Sequence, residues 1–166
     1  MKTPDEIPNF DSVKQAMASY WSARQRLKDL GVVRSDRSVP GDFAEWLACE
    51  MFGFQIAASG VQKGFDATDL AGKTYQVKAR IVNSLEQATS FDVKDPDHPF
   101  DYLLGVFLTP SSEVLGVVRV PYAEFLKHAS VNRGGRRLRW TRAALNSPWA
   151  EFLYRRPNPP GNPSAA

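Results

Sequence analysis

The stretch Lys73-Thr74-Tyr75-Gln76-Val77-Lys78-Ala79-Arg80 alternates at the period of a β-strand, so Gln76, Lys78 and Arg80 share one face while Tyr75, Val77 and Ala79 share the other. Upstream, Asp66 and Thr68 alternate in the same way with Phe65 and Ala67, and Leu70-Ala71-Gly72 reads as the turn of a hairpin. A turn centred on Ala71 sets Asp66 opposite Gln76. A carboxylate, an amide oxygen and an ammonium then meet on one patch of sheet. Mg²⁺ or Mn²⁺ suits such a patch, because these hard cations take oxygen from one or two carboxylates and keep several waters. Asp66, Gln76 and the Val77 carbonyl can hold the ion while its open positions accept a scissile phosphate, and Lys78 can orient the attacking water or stabilise the developing negative charge. The competing reading of the same spacing is a solvent-facing hairpin with Gln76, Lys78 and Arg80 turned outward.

Residues 12–30 place Val13, Ala16, Met17, Tyr20, Trp21, Leu27 and Leu30 at helical spacing, with Asp11 as the N-cap and Gly31 as the C′ stop, and predict an amphipathic helix. A polar connector over 34–40 leads to a second helix, 42–52, which is apolar nearly all round and ends at Gly53. Glu45 and Glu50 are the charges inside it, so each needs a reason. Residues 54–58 read as a short strand, 65–69 and 73–81 as the hairpin arms, and 82–101, polar and rich in proline, as a loop or at most a short helix over 85–88. The continuous apolar run 102–109 predicts a strand covered on both faces, followed by a strand over 114–120, a helix over 122–127 opened by Pro121, a strand over 136–140 and a short helix over 142–146. Helix, then strands around a buried one, then helix is an α/β arrangement with a mixed sheet.

The chain has 166 residues, 43% hydrophobic and 23% charged, which excludes disorder throughout and fits one globular domain. No run approaches the roughly 20 apolar residues of a membrane span, and the acidic N-terminus lacks a signal-peptide pattern, so a cytoplasmic protein without membrane partners is expected. The single Cys49 forms no internal disulfide, and His98 and His128 lack ligand spacing, so structural zinc is not expected. Residues 1–118 carry 12 Lys and Arg against 16 Asp and Glu, whereas residues 119–166 carry 9 against 2. Arg133, Arg136, Arg137, Arg139 and Arg142 concentrate that basicity around Trp140, a composition suited to phosphate or, more blandly, to a solvated strand and loop.

With Gly41-Asp42-Phe43-Ala44-Glu45-Trp46-Leu47, Gly64-Phe65-Asp66-Ala67 and Tyr75-Gln76-Val77-Lys78-Ala79-Arg80, residues 41–120 resemble the restriction-endonuclease-like, PD-(D/E)XK nuclease superfamily. The likeness is greatest to small bacterial members with a Gln-hydrophobic-Lys half-motif. It implies a restriction-endonuclease-like mixed β-sheet flanked by helices, with an added N-terminal helix over 1–40, a nuclease core over 41–130, a basic extension over 131–156 and a disordered tail over 157–166. It further implies metal-dependent hydrolysis of DNA, with Glu45, Asp66, Gln76 and Lys78 as catalytic residues and Glu45, Asp66, Gln76 and Val77 around Mg²⁺ or Mn²⁺. Arg80 and the five C-terminal arginines would hold the DNA backbone, and a homodimer is compatible with this reading. Gln76 stands where the superfamily carries an acid, which removes one negative charge from the cation site. The alternative is therefore a catalytically degenerate module of the same fold that binds nucleic acid or a protein partner.

Several residues compete for these roles. Glu50 competes with Glu45 on the second helix, and only the resemblance selects Glu45. Asp69 reads as the cap of the hairpin turn, and it is the alternative to Asp66 at the metal. Cys49 reads as a small core residue, His128 as a surface histidine and Asp101 as a lead-in to the buried strand.

Overall fold

The computed structural model describes residues 8–35, 38–57, 64–94 and 99–157. The expected tail over 157–166, apart from Pro157, lies outside them, as do Ala58 at the end of the first expected strand and His98. The chain divides into two compact units, Met1–Phe43 and Ala44–Ala166.

The first unit is dominated by helix α1 (Phe10–Asp29). Asn9, in the left-handed region at φ 64°, occupies the N-cap expected of Asp11 and makes no side-chain cap. Gly31 follows the helix at φ 72°, the conformation that glycine adopts without a Cβ penalty, so the C′ stop stands as the sequence predicts. The apolar positions of α1 are not core: none of its residues is buried. After the helix the N–H groups of Val32 and Val33 both donate to the Leu27 carbonyl, and both side chains are buried. Helix α2 (Val39–Phe52) starts earlier than its apolar pattern suggests. The Ser38 hydroxyl accepts from the Gly41 N–H at 3.2 Å, an N-cap contact, and Pro40 fits the first turn, where its missing N–H costs nothing. Asp42 is buried instead as an acceptor for the Arg34 and Ser35 N–H groups, at 2.8 and 2.7 Å, and for the Ser35 hydroxyl.

The second unit is mixed α/β. Strands β1 (Gln55–Ile56), β2 (Ala67–Thr68), β3 (Thr74–Ile81), β5 (Tyr102–Leu108), β6 (Val114–Pro121) and β9 (Glu151–Arg155) form one sheet in the order β1-β2-β3-β5-β6-β9. Strands β4 (Thr89–Lys94), β7 (Ala129–Asn132) and β8 (Gly135–Trp140) form a second, in the order β4-β8-β7, and α3 (Tyr122–His128) and α4 (Arg142–Leu145) complete the described elements. Among the described residues only β3 and β5 run parallel, the other pairs being antiparallel. No helix among the described residues is long and apolar enough to cross a membrane.

β5 lies between β3 and β6 with Leu103 to Leu108 buried, as its unbroken apolar run requires. The crossover between parallel β3 and β5 is not a loop: it contains β4, which leaves the large sheet to found the small one. Phe91 of β4 packs on Gly105 of β5, where a Cβ would come within 2.6 Å of the ring. Glycine there lets the two sheets close. Phe91, Phe107, Trp140 and Phe152 meet edge-on or tilted between them, and the Trp140 indole N–H donates to the Leu85 carbonyl at 3.0 Å.

Candidate active site

The hairpin register is the one the turn chemistry dictates. Ala67 pairs with Tyr75 and Thr68 with Thr74, so Asp66 stands opposite Gln76, with the Asp66 N–H donating to the Tyr75 carbonyl at 2.8 Å. Asp69 makes the turn: its carboxylate accepts from the Ala71 and Lys73 N–H groups, both at 2.9 Å, and from the Tyr75 hydroxyl. That is the capping role its position suggests, and it engages both carboxylate oxygens.

β2 begins at Ala67, and just before it the Asp66 side chain extends the contact with β3. Asp66 Oδ2 accepts from the Val77 N–H at 2.7 Å and from the Gln76 amide nitrogen. Two consequences follow for chemistry. A strand residue directs its N–H and C=O to the same side, so the Val77 carbonyl is directed toward the edge that Asp66 occupies. With its nitrogen on Asp66, the Gln76 amide has its oxygen left for another partner.

The Gln76, Lys78 and Arg80 face does not look into solvent, which corrects the outward-hairpin reading. In the parallel register Gln76 pairs with Leu103, Lys78 with Gly105 and Arg80 with Phe107, so these polar side chains share the face of β5 on which Phe91 and Trp140 pack. All three are half-buried at the margin of the core. Burial pushes the Lys78 ammonium below the ordinary lysine value, Asp66 and Glu45 pull it back, and Arg80 and Lys94 add like-charge repulsion. Among the described residues no ion pair contact neutralises Lys78. Glu45 reaches this environment from α2, where it is half-buried, whereas Glu50 is exposed on the same helix.

Asp66, Glu45, the Gln76 oxygen and the Val77 carbonyl are all hard oxygen donors, and in kind they fit Mg²⁺ or Mn²⁺. Among the described residues no group of three or more His, Cys, Asp or Glu side chains is gathered to hold a metal, so such an ion would depend on the amide and carbonyl oxygens as well as on the two carboxylates.

The arginines divide. The Arg80 side chain crosses to β4, donating from Nε to the Ser90 carbonyl, lying over the Phe91 ring and standing 3.7 Å from Asp92. Arg137 donates to the same Asp92 at 2.6 Å. On β8 Leu138 and Trp140 are buried while Arg137 and Arg139 are exposed, so Arg136, by alternation, lies on the inner side, where its Nε is buried without a hydrogen-bond partner among the described residues. Arg133 is exposed at the β7–β8 turn, and exposed Arg142 stands 3.7 Å from Glu86. The five C-terminal arginines therefore do not form one surface. Lys94 belongs with Arg137 and Arg139 on the outer face of the small sheet and acts electrostatically on Lys78, yet sequence reading passed over it. Its signal was present: Phe91 and Val93 alternate with Ser90, Asp92 and Lys94 at strand period.

Compared with known proteins, the chain matches no family model and no curated sequence.

Proposed function

We propose that the protein is a metal-dependent nuclease that hydrolyses phosphodiester bonds in DNA, built on a restriction-endonuclease-like, PD-(D/E)XK arrangement around β3. The observation that carries this reading is Lys78: a half-buried ammonium that shares its environment with Asp66 and Glu45 but makes no ion pair contact with either. Structural ion pairs close; a cation held near two carboxylates and left uncontacted is suited to bind a charge that arrives with substrate.

Glu45, Asp66, the Gln76 oxygen and the Val77 carbonyl would hold Mg²⁺ or Mn²⁺, which supplies Lewis-acid polarisation of a phosphate and a lowered pKa for bound water. Lys78 donates to the attacking water or to the non-bridging oxygen on which charge builds. Asp66, fixed by the Val77 N–H and the Gln76 amide, has its orientation set before substrate arrives. Exposed Arg139 and Lys94, on the outer face of the small sheet, offer positive charge to a nucleic-acid backbone.

The test is cleavage of supercoiled plasmid by the purified chain with Mg²⁺ and with Mn²⁺, against Asp66→Ala and Lys78→Ala purified in parallel to expose contaminating nuclease. Cleavage by the parent that both variants lose supports the reading; no cleavage of DNA with either metal overturns it. A second reading has its own observation, since the Asp66 carboxylate already serves as a strand-edge cap and Gln76 is neutral. That reading is a nucleic-acid or protein-binding module of the same fold, and DNA binding without cleavage in the same samples selects it.

A further inference from the structure

Where β3 ends and β6 begins, the second unit carries a cavity of about 600 Å³. Leu85, Leu115 and Leu145 form its apolar floor, and Asn83, Ser84 and Arg155 stand at its rim. Asn83 follows Lys78 by five residues, roughly 16 Å at the rise of a strand, so the cavity is separate from the Asp66 and Lys78 site. Its walls are fixed by contacts of their own. The Leu85 carbonyl accepts from the Trp140 indole N–H at 3.0 Å, and the Leu85 side chain packs on Gly116, where a Cβ would come within 3.2 Å of it. The Asn83 N–H donates to the Gln87 amide oxygen at 2.7 Å and the Gln87 N–H to the Ser84 carbonyl at 3.2 Å, which holds the loop before β4. The Arg156 N–H donates to the Leu115 carbonyl at 2.9 Å and so ties the end of β9 to the floor. A preformed cavity with an apolar floor and a few placed polar groups is the form that a small-molecule site takes.

We propose that this cavity binds a small organic monocarboxylate whose branched or aromatic hydrocarbon body lies on the three leucines. Charge selects the anion. Glu86 of the wall stands 3.7 Å from Arg142, and Arg156 donates to both Glu113 oxygens, at 2.9 and 3.4 Å, so those two charges are already answered. Arg155 is left over. Its guanidinium lies over the Phe152 ring at 5.4 Å, and among the described residues no hydrogen bond or ion pair engages it. Nor does any hydrogen bond among the described residues engage the Asn83 side-chain amide or the Ser84 hydroxyl. A guanidinium fork takes a carboxylate through two parallel hydrogen bonds, and Asn83 and Ser84 supply further donors at the same rim. One surplus positive charge matches a monocarboxylate better than a nucleotide, whose phosphate carries more than one negative charge. No aromatic ring among the described residues lines the cavity, so a nucleobase would find nothing to stack on. The leucine floor in turn selects an apolar body over a bare inorganic anion, because only the former removes that floor from water.

Titration of the full chain with phenylbutyrate, followed by nitrogen–proton correlation NMR, tests this. The Trp140 indole N–H, whose acceptor belongs to Leu85 of the floor, is expected to shift with a Kd of about 1 mM or below. Arg155→Gln is expected to weaken binding by at least about tenfold, the scale of a lost hydrogen bond to a charged group. Arg155→Lys loses less, because it keeps the charge without the fork. Neutral phenylbutanamide is expected to bind the parent as weakly as phenylbutyrate binds Arg155→Gln, a comparison that needs no variant to fold. Acetate, a carboxylate without the body, leaves the Trp140 signal in place at the same concentrations. Lys127→Gln, on α3 outside the cavity, keeps the parent affinity, and the spread of amide signals reports the fold of each variant. A Trp140 signal that does not move up to about 10 mM phenylbutyrate overturns the proposal, as does an affinity indifferent to Arg155→Gln or to the amide. Tighter binding of adenosine monophosphate than of phenylbutyrate overturns the assignment to a carboxylate.

Discussion

Two Asp–Lys pairs involve lysines five residues apart, Lys73 just before strand β3 and Lys78 within it, and they behave in opposite ways. At the start of the strand, Lys73 Nζ donates to Asp101 at 3.0 Å, and the same carboxylate accepts from the Thr74 N–H and hydroxyl, both at 2.9 Å. The exposed Lys73 ammonium is held above its ordinary value by the hydrogen bond to Asp101, while Asp101 is held below its own by the Thr74 N–H and then by Lys73. At mid-strand, Asp66 is engaged by Gln76 and the Val77 N–H, and Lys78, half-buried, lies below its ordinary value because burial outweighs the pull of Asp66 and Glu45. The first pair is a clamp that fastens β3 to the start of β5. In the second, the fold keeps an acid and a base in one field without contact, and the difference lies in what the neighbours do to each group, not in the residue types.

The largest expected effect tests that contrast in activity. Asp66→Asn and Lys78→Met are expected to lower metal-dependent plasmid cleavage by at least about 10²-fold, the scale of losing one preorganised electrostatic group. Lys73→Ala and Asp101→Asn, which break the clamp, are expected to stay within about threefold of the parent, since an exposed ion pair contributes little. If Asp101→Asn lost as much cleavage as Asp66→Asn under matched folding, the two pairs would not differ in kind.

A smaller effect separates them by pH. Lys78 titrates lower in the folded chain than in the unfolded one, so between its folded value and the ordinary lysine value the unfolded chain binds more protons and stability rises with pH through that alkaline window. Lys73 has the opposite sign: its contribution is fully present below the ordinary value, about pH 10.4, and is lost as pH rises through the higher folded value. Denaturant unfolding along the alkaline limb measures both. Lys78→Met is expected to remove the rise and Lys73→Ala to remove the fall, and identical alkaline profiles for the two variants would contradict the assignment. Cleavage should follow the same group, falling on the alkaline side at a lower pH than an ordinary lysine would set, with Lys78→Arg abolishing that limb because a guanidinium stays charged.

Local chemistry made the hairpin legible: Gly72 and Asp69 fix the turn, the turn fixes the register, and Asp66 meets Gln76 as alternation requires. β5 was legible for a similar reason, because a strand buried on both faces leaves no polar position in its run. Missed elements depended on partners far away in sequence. β4 lay in a segment whose prolines suggested a loop, although Phe91 and Val93 carried the alternation, and its place is set by pairing with β8 more than 40 residues later. β7 and β9 are short edge strands with no run long enough to announce them. The orientation of the Gln76, Lys78 and Arg80 face was legible as alternation but not as environment, since nothing in those residues tells that Phe91 will pack on Gly105 and bring a second sheet over them. Apolar spacing in α1 predicts an amphipathic helix, and the structure buries none of its residues, because periodicity reports a face and not what covers it.

The smallest expected effect carries the distinction between engaged and available cations onto β8. Arg137 and Arg139 share the outer face of the small sheet, but Arg137 donates to Asp92 at 2.6 Å, while no hydrogen bond or ion pair among the described residues engages the Arg139 guanidinium. Arg136 lies on the inner side. A phosphate contact releases about one counterion, so Arg139→Ala is expected to reduce the slope of log K against log salt for DNA binding by about one unit, evenly over unrelated sequences. Arg137 must give up Asp92 to reach a phosphate, so Arg137→Ala is expected to change the slope by less than one. Arg136→Ala is expected to leave the slope unchanged and to act on stability instead, through the inner surface it covers. Fluorescence anisotropy with two unrelated duplexes at several salt concentrations reads all three. Equal slope losses for Arg136, Arg137 and Arg139 would mean that DNA takes the strand as undivided positive charge, and that the pairing of Arg137 with Asp92 does not govern which cations meet phosphate.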